Sequence, residues 1–183
     1  MTGSVTLPAR LPDFALERYF ARWEFAVRHL LCASDVEGYP MGELLALADD
    51  ETRALWDDLR LGYTEAAGHP LLRAEIASLY AGLATEEVLV CAGAEEGIYL
   101  LLTALLGPGD HAIVVWPAYQ SLDAVGRAAG AEVSRHELRE ADGWALDVER
   151  LVASFRPSTR LVIVNVPHNP TGMLPTHAEW AEI

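Results

Sequence analysis

Apolar residues are spaced in two ways along the 183-residue chain, and the spacing changes near Glu87. Upstream the spacing is helical. Asp13 is placed to cap a first helix reaching about Leu31, with Phe14, Leu16, Phe20, Phe25 and Leu30 on a loose apolar face. Residues 1–12, with Pro8 and Pro12, read as a loose arm. Ala33 to Met41 reads as a connector because it holds Gly38 and Pro40. A second helix, Glu43 to Leu61, is broken at Asp49-Asp50. Gly62-Tyr63-Thr64 opens a loop that closes at Gly68-His69-Pro70, and a third helix follows from Leu71 to Tyr80. Pro70 suits the first turn of that helix, where its missing N–H costs nothing.

Downstream of Glu87, short apolar runs alternate with helical segments. Strands are expected at Val88–Cys91, Ala112–Trp116, Glu132–His136 and Leu161–Asn165. Helices are expected at about Glu95–Leu106, Tyr119–Ala129 and Asp147–Phe155, with a last one opening at Pro175-Thr176. Strands alternating with helices predict an α/β fold built on a mostly parallel sheet flanked by helices. In such sheets ligands sit beyond the carboxyl ends of the strands. The loops after Cys91, Val115 and Val164 are therefore where chemistry is expected.

Each of those loops has a bland and a functional reading. Ala92-Gly93-Ala94-Glu95-Glu96-Gly97 enters a helix directly. It is either a tight glycine turn or a phosphate seat, because the open N–H groups of a helix start attract anions. Glu95 and Glu96 suit a helix start, but they suit a dianion only if their carboxylates point away. Trp116-Pro117-Ala118-Tyr119-Gln120 puts an aromatic at the mouth of the sheet, where it either stacks on a flat heterocycle or covers the core. Pro117 is compatible with a cis bond. Asn165-Val166-Pro167-His168-Asn169-Pro170-Thr171-Gly172 pins the Asn169 amide with two prolines and a glycine.

Composition narrows the field. The chain is 51% hydrophobic and 22% charged, as ordinary globular proteins are, with a net charge of −14. That balance argues against binding nucleic acid or an anionic membrane. No apolar run is long enough for a bilayer-spanning helix. Met1 to Pro12 lacks a signal-peptide pattern, and Cys32 and Cys91 are too far apart to suggest a disulfide framework, so a cytoplasmic protein is expected. The six histidines show no metal-ligand spacing and are expected in surface or turn roles, His168 among them. Cys91 reads as a core thiol, Ser121 as a helix cap, and Trp23, Trp56 and Trp180 as packing residues. A nucleotide-binding Rossmann domain fits poorly, since no G-x-G-x-x-G follows a strand.

Taken in order, Gly93-Ala94-Glu95, Pro117-Ala118-Tyr119 and Pro167-His168-Asn169-Pro170-Thr171-Gly172 resemble the large domain of fold-type-I pyridoxal-phosphate enzymes, and more closely the class I/II aminotransferases. Gly62-Tyr63-Thr64 through Leu71-Leu72-Arg73 looks like the entry segment of that family, so the resemblance spans about Arg60 to Gly172. Ala92 to Ser121, with Pro-Ala-Tyr-Gln-Ser, is similar to capreomycidine-synthase-like members. The resemblance implies an incomplete large domain at 62–183, preceded by an arm and helical segment at 1–61. It implies pyridoxal 5'-phosphate as cofactor, an amino acid and a 2-oxo acid as substrates, and a homodimer. Backbone amides of Gly93, Ala94 and Glu95 would hold the phosphate, Tyr119 would stack on the ring, and Asn169 would bond its 3-hydroxyl oxygen. Tyr63 would reach the phosphate of the neighbouring subunit. Gly38 would lie near the substrate carboxylate, although Ser34-Asp35-Val36-Glu37-Gly38-Tyr39 departs from the common pattern.

Pyridoxal-phosphate chemistry in this family also needs a lysine amine for the resting Schiff base and an aspartate on the pyridine nitrogen. All thirteen basic residues here are arginines, and arginine cannot serve as that amine. The expectation is the N-terminal portion of an aminotransferase-like enzyme, inactive as this chain alone. The alternatives are a non-catalytic dimerisation or ligand-binding module, and a lyase or cyclase on the same scaffold. The unburied face of a half-sheet is expected to promote association.

Overall fold

A computed structural model describes residues 10–32 and 35–183. Ser34 and most of the expected N-terminal arm lie outside the described residues. The described chain divides into two compact units, one formed by residues up to Trp23 together with Cys91–Ile183, the other by Glu24–Val90.

The sheet belongs to the first unit. Strand β1 (His111–Trp116) pairs in parallel with β2 (Glu132–Glu137) on one side and β3 (Thr159–Ile163) on the other. β1 is buried on both faces, which is why its sequence runs apolar without alternation. Ala112 and Val114 face a core with Leu102, Leu106, Val125 and Val133. Ile113 and Val115 face the other core, with Leu138, Leu146, Val148 and Leu151. The first core is covered by α5 (Ala94–Leu105) and α6 (Gln120–Ala128), and the second by α7 (Val148–Ala153). At the amino edge of β1, buried His111 joins all three strands. Its Nδ1 bonds Thr159 Oγ1 at 2.7 Å and its Nε2 bonds Ser134 Oγ at 2.9 Å.

Several elements differ from the sequence expectation. Val88–Cys91 is not a strand. A 3₁₀ turn, Thr85–Glu87, precedes it, the Val88 carbonyl accepts from the Arg73 guanidinium, and the Val90 N–H donates to the Ala67 carbonyl. Part of its backbone is thus engaged by a side chain and a loop, and no strand pairs with it among the described residues. Gly68 permits this approach, since a Cβ there would meet the Val90 side chain at 2.5 Å. Helix α1 (Ala15–Trp23) stops well short of Leu31, and Phe25 and Leu31 beyond it are almost fully exposed. The segment finds nothing to bury against, and isolated helical turns are marginal in water.

Asp13 does not cap α1. The Gln120 side chain accepts from the Ala15 N–H at 2.9 Å and donates to the Asp13 carbonyl at 2.9 Å. The second expected helix forms two, α2 (Met41–Ala46) and α3 (Asp50–Asp57), with Asp49 accepting from the Thr52 N–H. Helices α4 (Pro70–Ser78) and α8 (His177–Glu182) form close to expectation, α8 with a Thr176–Glu179 capping box. Three of the histidines expected in surface or turn roles, His111, His136 and His168, are buried, whereas Trp23, Trp56 and Trp180, expected to pack, are each more than a third exposed. Among the described residues no helix is long and apolar enough to cross a membrane.

Candidate functional site at the carboxyl edge of the sheet

The loop before α5 turns on Gly93, whose φ of 89° favours glycine. A Cβ there would meet nothing within 4 Å, so the space before the helix is open. The Gly93 N–H donates to the Cys91 carbonyl, and no side chain caps the amides of the first turn. Both neighbouring carboxylates are engaged. Glu96 folds back to accept from the Ala92 N–H, and Glu95 Oε2 accepts from Ser121 Oγ at 3.0 Å. Ser121, expected as a cap, is buried and ties α6 to α5 through this bond. The uncapped amides of a 12-residue helix therefore face outward with their positive end, and the two acids beside them are held by other donors.

Tyr119 leads into α6. Its hydroxyl donates to Glu17 on α1 at 3.0 Å, and its ring lies 5.0 Å from that of Phe14. Burial first, then the hydrogen bond and charge of Glu17, push the phenol up to about 12, so it stays neutral at ordinary pH. The ring walls two cavities. One, about 420 Å³, is lined by Ala94, Glu95, Ile98, Leu122 and the end of β3. The other, about 700 Å³, is lined by residues of α1 and α6 together with Trp116, Arg135 and Asn169.

Asn169 lines the larger cavity, not the one with Ala94 and Glu95. Its loop is fastened by the Gly172 N–H donating to the His168 carbonyl, and the His168 N–H to the Met173 carbonyl. The His168 ring is buried beneath it, with Nδ1 bonded to Thr171 Oγ1 at 2.7 Å. Burial pushes this imidazole below the ordinary histidine range, with the Pro117 carbonyl pulling weakly the other way. Trp116-Pro117, Val166-Pro167 and Asn169-Pro170 are cis. Tyr63 and Gly38 belong to the 24–90 unit, both exposed, and Gly38 has open space around it.

Sequence reasoning missed a charged cluster in the larger cavity. Buried Asp123 accepts from Arg127 Nε at 3.1 Å and from Arg135 Nη2 at 3.0 Å. Burial alone would raise this carboxyl, but the hydrogen bonds and charges of the two arginines hold it below the usual carboxylate value. The i,i+4 spacing of Asp123 and Arg127 was a readable signal for half of it. Arg135 arrives from β2, a tertiary contact with no local signature.

Comparison with known proteins points one way. The sequence profile of the family described as aminotransferase class I and II matches residues 31–183. Capreomycidine synthase of Streptomyces vinaceus is 38% identical over 175 residues, covering 94% of this chain and 45% of that protein. An arginine–pyruvate transaminase of Pseudomonas aeruginosa is 37% identical over 123 residues, covering 64% of this chain and 31% of its own. A crystal structure of a PLP-dependent aminotransferase from Streptococcus suis superposes with a TM-score of 0.87 at 29% identity, covering 95% of this chain and 47% of the other. The chain thus spans about half the length, or less, of the relatives it matches.

Proposed function

The chain belongs to the class I and II aminotransferase family, and from that premise we propose that it supplies the phosphate and ring seat of a pyridoxal-phosphate enzyme acting on an amino acid and a 2-oxo acid. One observation carries this reading. The uncapped amino end of α5 opens beside a cavity walled by Tyr119, with Glu95 and Glu96 both bonded elsewhere. A phosphate on a flat aromatic ring fits such a seat.

The amides of Ala94 and Glu95 would bind the phosphate. Gly93 would contribute its positive-φ turn, since its own N–H is taken by Cys91. Tyr119 would lie against the ring as a neutral phenol, held by Glu17 and Phe14. The Asn169 amide would meet the ring's 3-hydroxyl oxygen, on a loop that His168 and Thr171 keep closed. Tyr63 would reach the phosphate of a neighbouring subunit in a homodimer, from a fully exposed position. Residues 62–183 would form the cofactor-binding part and residues 1–61 the arm and helical segment. The free Cys32 and Cys91 support a cytoplasmic setting. When bound, the cofactor withdraws electrons from the Cα bonds of the amino acid. The amine that this chemistry needs is not among these 183 residues, which contain no lysine.

Titration of the chain with pyridoxal phosphate, followed by absorbance and equilibrium dialysis, tests the reading. Weak, reversible, saturable binding is expected, reduced about tenfold or more in Tyr119→Ala, a loss of at least about 1.4 kcal/mol. Borohydride should fix no adduct to any internal side chain. Absence of saturable binding would sink the seat, and an internal adduct would sink the reading that these 183 residues supply no amine.

A further inference from the structure

The larger cavity contains a preorganised arginine with no assigned task. Arg135, on β2, is fixed from two directions. Its Nη2 donates to the buried Asp123 carboxylate at 3.0 Å, and its guanidinium lies 3.7 Å from the Trp116 ring centroid. Asp123 is held in turn by Arg127, which also donates to the Val133 carbonyl. Arg127 thus uses its Nε and Nη2 to brace α6 against β2. Arg135 does not: beyond the single Nη2 bond to Asp123, its Nε, its Nη1 and the second Nη2 hydrogen have no protein partner among the described residues, so one two-donor edge of the guanidinium stays open. The side chain keeps 40% of its exposure.

Charge accounting gives the sign of an occupant. Arg10, Arg127 and Arg135 line the cavity against a single acid, Asp123, in a chain whose net charge is −14. A local positive excess on an acidic protein attracts anions to that spot. The remainder of the wall selects further. Leu16, Ala124 and Ala128 offer apolar surface for an organic body. A planar guanidinium with a free edge matches the two oxygens of a carboxylate, and the nearby Asp123 charge disfavours a dianion.

We propose that this cavity is a carboxylate-binding subsite, in which the free edge of Arg135 receives the carboxylate of a small organic monoacid whose apolar body rests on Leu16, Ala124 and Ala128. The subsite goes beyond the cofactor reading and does not depend on it, because Arg135, Leu16, Ala124 and Ala128 line the larger cavity and not the one beside Ala94 and Glu95. Tyr119 borders both cavities, and Asn169, given above to the cofactor ring, lies on the wall of the larger one.

Calorimetric titration of the 183-residue chain at low salt, with 3-phenylpropanoate as probe, tests it. One saturable site is expected. 3-Phenylpropanamide, which has no charge, and inorganic phosphate, which has no apolar body, should each bind at least tenfold more weakly. Arg135→Gln should lower the acid's affinity at least tenfold while keeping a cooperative melt. Arg160→Gln, which alters an arginine paired with Asp110 outside the cavity, should leave it unchanged. If Arg135→Gln loses its cooperative melt, Arg135→Lys decides the matter, since it keeps the charge and loses the fork. Its affinity should fall severalfold, and parental affinity would overturn the proposal. No saturable site, equal binding of the amide or of phosphate, or indifference to Arg135→Gln would each overturn it as well. The titration is repeated with pyridoxal phosphate present. Loss of the acid's binding under that condition would overturn a separate subsite, whereas failure of the cofactor to bind would overturn the cofactor seat alone.

Discussion

Residues 111–138 and residues 24–63 are both well supplied with apolar side chains, yet they meet opposite fates. In the first, Ile113 and Val114 have no exposed surface, and Val115, Val133 and Leu138 are buried. In the second, Phe25 is 94% exposed, Leu31 92% and Leu61 99%. Apolar content does not distinguish the two. The difference lies in neighbours, because β1 has a strand on either side and helices over both faces, whereas α2 and α3 bury no residue at all. Apolar side chains stabilise a fold only to the extent that something removes them from water.

Substitutions can break or sharpen that contrast. The largest effect is expected for Ile113→Ala, which opens a cavity between β1 and the α7 core and should cost about 2–5 kcal/mol in denaturant unfolding. Asp123→Ala should come next. It leaves Arg127 and Arg135 without their shared acceptor, at a cost on the order of 1–3 kcal/mol, moderated by the partial exposure of both arginines.

Acidification from about pH 7.5 to 5.5 should have a smaller, graded effect that acts through three buried histidines of the sheet unit. Burial pushes His111, His136 and His168 below their ordinary value, so the folded chain keeps them neutral where the unfolded chain is already protonated. Below about pH 6.5 the unfolded state therefore binds more protons, and stability declines as pH falls toward the folded values. Thermal midpoints should be lower at pH 5.5 than at pH 7.5, and His136→Phe, which removes a buried ring with an unpartnered Nε2, should flatten that slope. A flat profile in the parent chain would contradict this account. The smallest effect belongs to Leu61→Ala, expected within about 0.5 kcal/mol of the parent. A loss as large as that for Ile113→Ala would show that residue 61 is covered in solution and would dissolve the contrast.

What could be read from the sequence follows the same division. The three observed strands were legible because β1 is an unbroken apolar run and each strand is set off by glycine, proline or a capped helix. The Gly93 turn and the Asn169 loop were legible because special backbone geometry demands particular residues in a fixed order. Val88–Cys91 misled, since four apolar residues look like a strand whether or not another strand lies beside them. The Val88 carbonyl went to Arg73 instead, a choice made fifteen positions away. Burial of His111 was illegible for a similar reason. Its two partners, Thr159 and Ser134, sit on other strands and satisfy both ring nitrogens only after the sheet has assembled. Asn169 was readable as a pinned amide, but which cavity it lines depends on the path of the chain.

The grip of Gln120 on α1 also has a consequence in time. Its bonds to Ala15 and Asp13 span 105 and 107 residues, and Glu17 waits equally long for Tyr119. At ribosomal speeds of roughly 5–20 residues per second, the nine residues of α1 emerge about 5–20 seconds before the side chains that will hold them. A helix that short does not persist on its own. During synthesis the start of this chain is therefore a ligand awaiting its receptor, and it docks only after β1 and the head of α6 have been made.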